Sequence, residues 1–240
     1  MPVPVRAVLC DLDDTLFDHT HASRCAVAEL QRAVPDFNCW SIDEFAARHR
    51  DVLDTLHIEV LAGRLTISDA RIERFRRLLV AAACRDADQI APGLAGTYRR
   101  AYETSWQPVA GALPLLTAIR QQAIRIAIVT NNIVVEQQTK LRHCGLTDLV
   151  DALVTSEEIG VQKPDPRIFH AALGSVGAEP AEAVMVGDTW ATDIEGARAA
   201  GVRPVWLNRF GAVSVDPTVA ELNALVPTDA ALRLIVASQL

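Results

Sequence analysis

The chain has 240 residues, half of them hydrophobic, enough to bury one large core or one core with a smaller appended unit. A formal net charge of −7 argues against nucleic acid as a main partner, and no apolar run is long enough to span a bilayer. The opening Met1-Pro2-Val3-Pro4-Val5-Arg6 leads into an apolar run without the pattern of a secretory leader. The five cysteines, Cys10, Cys25, Cys39, Cys84 and Cys144, are scattered with no Cys-x-x-Cys, which points to free thiols in a reducing cytoplasm and away from zinc.

Ala7 to Cys10 is a short apolar run that reads as a buried strand, and it ends in three acids, Asp11, Asp13 and Asp14. Carboxylates this close repel one another, so a strand end that gathers them calls for a counter-charge. A solvated turn with an Asp cap would explain the same residues if they stood alone. After Leu16 the pattern turns helical for about ninety residues, with helices expected over His21 to Val34, Asp43 to Leu56, Ser68 to Ala83 and Leu94 to Trp106. Ser68 offers a helix cap and Pro92-Gly93 a break.

From Val109 strands and helices alternate. A helix is expected over Ala112 to Gln121, then a strand over Ile124 to Val129 ending in Thr130-Asn131-Asn132, then a helix over Val134 to His143 stopped by Gly145. Val150 to Val154 reads as a strand, Asp165 to Val176 as a helix closing on Gly177, and Ala183 to Val186 as a strand ending in Gly187-Asp188. Ala191 to Ala200 reads as a helix, Val202 to Leu207 as a strand, and the stretch Asp216 to Leu240 as helix packed on the sheet, including Glu221 to Leu225 and Ala230 to Val236. This alternation predicts an α/β fold: a parallel sheet wrapped on both faces, from residues 1–16 and 109–240, with an inserted all-helical unit at 17–108.

Every expected strand ends in polar or acidic groups, at the edge where open α/β sheets bind ligands. Asp11 and Asp13 fall on the same side of an extended chain, a spacing that suits one nucleophile and one proton shuttle. A carboxylate attacking a dianionic phosphate needs a hard cation, and oxygen ligands without a His or Cys cluster point to Mg²⁺. Asp188 sits where that ion would lie, while Asp193 falls in the first turn of the next helix; two helix caps are the alternative. Thr130 and Asn131 fit a phosphate cradle or a plain cap. Of the 23 basic residues only Lys140 and Lys163 are lysine; where the default cation is arginine, a retained lysine is informative. Lys163, in the proline-stiffened Gly160-Val161-Gln162-Lys163-Pro164-Asp165-Pro166, would neutralise a nucleophilic carboxylate and an incoming phosphate. His19 and His21 read as surface or pocket residues, Trp40, Trp106 and Trp206 as core, and Trp190 as a pocket or loop residue. No Gly-x-Gly-x-x-Gly or Walker loop follows a strand.

Together, Asp11-Leu12-Asp13-Asp14-Thr15, Thr130-Asn131, Lys163-Pro164 and Gly187-Asp188 through Asp193 resemble the four motifs of the haloacid dehalogenase-like hydrolase superfamily, in order and spacing. The resemblance implies that Asp11 is the nucleophile and Asp13 the general acid/base. It implies a Mg²⁺ held by the Asp11 carboxylate, the Asp13 main-chain carbonyl and Asp188, with Asp193 in support, and a phosphate held by Thr130, the Asn131 backbone and Lys163. It implies a Rossmann-like core with a helical cap, inserted just after the first motif, that closes over the substrate. An acid at Asp13 favours phosphoryl chemistry over the metal-free dehalogenase type. The expectation is thus a cytoplasmic phosphomonoesterase for a small phosphate ester of nucleotide, sugar phosphate or phosphoglycolate type, with neither nucleic acid nor membrane as partner and oligomeric state unspecified. A phosphomutase or phosphotransferase is the alternative, followed by a 2-haloacid dehalogenase or a silent binding protein. Arg24, Arg48 and Arg64 are candidates for lining the substrate.

Overall fold

The computed structural model describes residues 3–237; Met1-Pro2 and the last three residues of the stretch to Leu240 lie outside them. Six strands form one sheet: β1 (Ala7–Cys10), β2 (Arg125–Thr130), β3 (Ala152–Thr155), β4 (Ala183–Gly187), β5 (Arg203–Leu207) and β6 (Ala220–Leu222). Their order is β3-β2-β1-β4-β5-β6, and every pairing is parallel. All four residues of β1 and all five of β4 are buried, as expected of strands covered on both faces. One face, carrying Ala7, Leu9, Ala127, Val129 and Met185, packs against Ile168, Phe169, Ala172 and Leu173 of a helix, and with Ala197 these form a continuous apolar core.

The sheet reverses its winding at β1: the chain runs outward through β2 and β3, then returns to lay β4 on the other side. Cys10 is in register with Ile128 of β2 and Val186 of β4, so the ends of these three strands stand side by side. This is the switch point at which open α/β sheets place their ligands.

The helices are α1 (His19–Ala33), α2 (Ile42–Leu61), α3 (Ile67–Ala81), α4 (Ala87–Thr104), α5 (Ala112–Gln121), α6 (Val134–His143), α7 (Ser156–Ile159), α8 (Pro166–Val176), α9 (Glu195–Ala199) and α10 (Thr228–Val236). The chain divides into two compact units, Met1–Asp18 with Gln107–Leu240, and His19–Trp106. The second unit contains α1 to α4 and has its own core, in which Leu30, Phe37, Phe45, Phe75, Leu78 and Leu79 are buried.

Several local expectations are corrected. Glu221 lies in β6, not in a helix, because Val205 to Leu207 of β5 offer Ala220 to Leu222 a free ladder. Pro92 does not break α4 but sits inside it; the carbonyl its missing N–H would have served belongs to exposed Asp88, where water can take the bond. α3 is capped by Thr66, whose hydroxyl accepts from the Asp69 N–H, rather than by Ser68. The helix expected from Ala191 begins with one wide π turn, Trp190–Ile194, before α9. Trp106 and Trp206 are buried, while Trp40 is only half-buried.

Candidate active site

Asp11 directly follows β1, and its N–H continues the ladder by donating to the Val186 carbonyl, 2.9 Å away. Its carboxylate is buried and accepts from Lys163 Nζ at 2.6 Å. The same ammonium donates to Asp193 Oδ1, also at 2.6 Å. Lys163 reaches this place because Asn131, at the end of β2, grips its backbone. Asn131 Oδ1 accepts from the Lys163 N–H at 2.6 Å and Asn131 Nδ2 donates to the Lys163 carbonyl at 3.0 Å. One side-chain amide thus supplies both bonds of a strand pairing.

Asp193 projects from the π turn after β4 and accepts from the Thr189 N–H at 3.0 Å. Gly187 makes room for it: a Cβ at that position would collide with the Asp193 carboxylate. Asp188 follows directly, with its carbonyl held by Trp206 Nε1 at 2.8 Å. Among the described residues its carboxylate has distant hydroxyl donors, Thr15 and Thr189, each at 3.4 Å. One carboxylate oxygen from each of Asp11, Asp188 and Asp193 lies within 4.8 Å of the others.

Three carboxylates around one ammonium leave a deficit of two positive charges. Burial pushes the Asp11 carboxyl up to about 7 against the pull of Lys163, with Asp193 and Asp13 adding to the rise. Burial first, then Asp11, Asp193 and Asp14, push Asp188 up to about 8. Burial alone would lower Lys163, but Asp11 and Asp193 hold it above the usual lysine value. The two directions agree physically: an ammonium shared by two carboxylates is fully served while neither acid is. An all-oxygen donor set short of two positive charges fits a hard divalent cation.

Asp13 does not join this set through its side chain. Its Oδ1 accepts from Lys140 Nζ at 2.6 Å and its Oδ2 from Gln137 Nε2 at 2.9 Å, both on α6. Gln137 Nε2 also donates to Thr130 Oγ1 at 2.8 Å. Asp11 and Asp13, expected on one side of an extended chain, therefore carry their carboxylates to different lysines. The reason is the tight turn that starts at Leu12, whose carbonyl accepts from Leu16 and Phe17, with Asp14 in the left-handed region at φ +63°. Arg209, just past β5, braces that turn by donating to the Asp14 carbonyl at 3.0 Å and pairing with Asp18 Oδ1 at 3.0 Å.

Lys140, Gln137 and Arg209 escaped the sequence reading. The signal for the first two was present: residues 137, 140, 141 and 144 form one helical stripe, all of it buried, and two members are polar. Arg24, Arg48 and Arg64 pair with Asp43, Glu44 and Glu59 at exposed positions. His19 Nδ1 pairs with the Tyr102 hydroxyl at 2.7 Å, and Trp190 sets its ring edge-on against Trp206. No described helix is long and apolar enough to cross a membrane.

Comparison with known proteins agrees with this layout. Residues 5–201 match the haloacid dehalogenase-like hydrolase family. A ribulose-1,5-bisphosphate 5-phosphatase of Halopiger xanaduensis is 37% identical over 207 residues, covering 83% of each chain. The pyrimidine 5′-nucleotidase YjjG of Escherichia coli is 33% identical over 203 residues, covering 84% of this chain and 85% of its own. Among solved structures, the magnesium-bound HAD-hydrolase YfnB of Bacillus subtilis superposes with a TM-score of 0.73 at 27% identity, over 95% of this chain and 99% of its own. With the family match running from β1 through β4 and over most of the chain, and with strand order and clustered acids in accord, the chain belongs to the haloacid dehalogenase-like hydrolases.

Proposed function

We propose that this chain is a Mg²⁺-dependent phosphomonoesterase acting on a small phosphorylated metabolite through an aspartyl phosphate on Asp11. The observation that carries the reading is the convergence of Asp11, Asp188 and Asp193 to within 4.8 Å around Lys163. Asp11, the Asp13 carbonyl and Asp188 would hold the ion, with Asp193 in support. When bound, Mg²⁺ supplies the positive charge that lets a carboxylate approach a dianionic phosphate.

Each group then has a defined task. An Asp11 oxygen attacks phosphorus as the bond to the leaving oxygen breaks, and Asp13 gives that oxygen a proton. Water next attacks the aspartyl phosphate, its proton passes to the Asp13 carboxylate, and the Asp11–phosphorus bond breaks to release inorganic phosphate. Lys163 holds Asp11 in place and offers charge to the phosphoryl oxygens. The Thr130 hydroxyl, whose oxygen accepts from Gln137, would donate to the phosphate together with the Asn131 backbone.

The two phosphatase relatives act on a sugar bisphosphate and a pyrimidine nucleotide by their names, so nucleotides, sugar phosphates and phosphoglycolate form the first panel. All five cysteines are free, in keeping with a reducing cytoplasm. Phosphate release from this panel, with and without EDTA and with Asp11→Asn, tests the reading. EDTA and the substitution must each abolish release, and activity that survives both refutes the mechanism. Recovery of isomerised sugar phosphate in place of free phosphate assigns a phosphomutase instead.

A further inference from the structure

We infer that Lys140 and Gln137 are positioning residues for Asp13, a hook on α6 that presents its carboxylate for proton transfer and keeps it out of the Lys163 cluster. The inference rests on the phosphomonoesterase reading, and it concerns residues that lie outside the four motifs.

The geometry is that of a two-point grip. Lys140 takes one oxygen of Asp13 and Gln137 the other, at 2.6 and 2.9 Å, so the carboxylate cannot turn about its Cβ–Cγ bond without losing a partner. Both gripping side chains are buried, whereas the Asp13 side chain keeps 27% of its surface exposed. Asn132 Nδ2 also approaches Oδ2, at 3.5 Å, and the exposed part of the Asp13 side chain is where a leaving oxygen or an attacking water must come. A buried ammonium is costly unless paired. Lys140 has Asp13, a second carboxylate in Glu136 at 3.6 Å, and the Phe17 ring beneath it at 4.9 Å.

The choice of lysine follows from the same geometry. Arginine presents a planar fork that takes both oxygens of a carboxylate, whereas lysine is a point charge that takes one. In a chain that otherwise uses arginine for its cations, both lysines are buried against the two acids that flank Leu12. Lys163 serves the nucleophile and Lys140 the proton carrier, so the two carboxylates do not compete for one counter-charge. Gln137 is held to its task as well. Its Oε1 has no hydrogen-bond partner among the described residues, and turning the amide over would set that oxygen against the Asp13 carboxylate. By also holding the Thr130 oxygen, Gln137 ties the proton carrier to the end of β2.

A poor leaving group needs its proton from Asp13, whereas a good one departs without it. The test is therefore the dependence of kcat/KM on leaving-group acidity across aryl phosphates from 4-nitrophenyl to phenyl phosphate, in Mg²⁺-loaded enzyme. Lys140→Met and Gln137→Met must each lose at least about tenfold more on phenyl phosphate than on 4-nitrophenyl phosphate, and Lys140→Arg must recover part of the Lys140→Met loss. A second readout uses metal-free protein: the melting-temperature shifts of Lys140→Met and Asp13→Asn must be non-additive in the double variant. Equal losses across the series, or additive shifts, overturn the inference. If Lys140→Met does not fold, the series for Gln137→Met and Lys140→Arg decides alone. A wild-type enzyme that releases phosphate from none of these esters defeats the phosphatase reading instead, a result distinct from parallel losses in an active one.

Discussion

At the scale of single residues, the site is a problem of counter-charge. Lys163 is 3% exposed between Asp11 and Asp193. Replacing it by methionine leaves two buried carboxylates without their cation. The expected cost is about 3–5 kcal/mol in metal-free protein, read from denaturant unfolding, together with loss of phosphate release. The acids themselves impose a pH dependence. Asp11 and Asp188 are raised to about 7 and about 8, so the folded state holds protons that the unfolded chain has already released. Stability of the metal-free protein must then fall as pH rises from about 4 to about 8, by roughly 1 kcal/mol per pH unit for each proton held. A divalent cation competes with those protons, so saturating Mg²⁺ must flatten the decline. Melting temperatures against pH, with Mg²⁺ and with EDTA, check both. Asp165 and Asp216 are pulled down to about 2 by hydrogen bonds, from Arg167 and from Thr218 and Arg198; they act with the opposite sign, below that window.

At the scale of elements, close backbone approaches hold the loops in place. Gly196 in α9 lies against α8 and the Lys163 loop: a Cβ there would meet the Phe169 ring at 2.7 Å and Pro164 Cα at 2.9 Å. Backbone at Pro164 has nowhere to go without moving Lys163. Gly196→Ala is therefore expected to cost about 1–3 kcal/mol, measured by thermal unfolding, and to lower phosphate release at temperatures where the variant remains folded. The π turn Trp190–Ile194 was not legible in the sequence, since Asp193 fits an ordinary first helical turn equally well. Widening the turn sets Asp193 beneath Gly187, within reach of Lys163. α4 shows the opposite case, where the local Pro92-Gly93 signal was plain and yet a solvent-facing carbonyl let the helix run on.

At the scale of the whole molecule, the two units differ in how their cores are assembled from the chain. His19–Trp106 is continuous and encloses its own aromatic and aliphatic core. Residues 19–106 expressed alone are expected to give a helical circular dichroism spectrum with a cooperative thermal transition. The other unit needs both of its segments, because β1 from the first segment pairs with β2 and β4 of the second. Deleting residues 1–18 must therefore abolish its folding, seen as loss of any cooperative transition in Gln107–Leu240.

The sequence by itself determined the class of fold and the placing of acids at strand ends. Burial of a parallel sheet on both faces demands apolar runs that stop abruptly, and such stops are visible one segment at a time. It also marked lysine as scarce, a signal that pointed to Lys140 as much as to Lys163. Only the tertiary structure decided which carboxylate each lysine serves. That choice depends on the turn from Leu12 to Phe17, on the buried stripe of α6 and on the grip of Asn131 across two loops. Those are distances between segments far apart in the chain, and no periodicity within a segment encodes them.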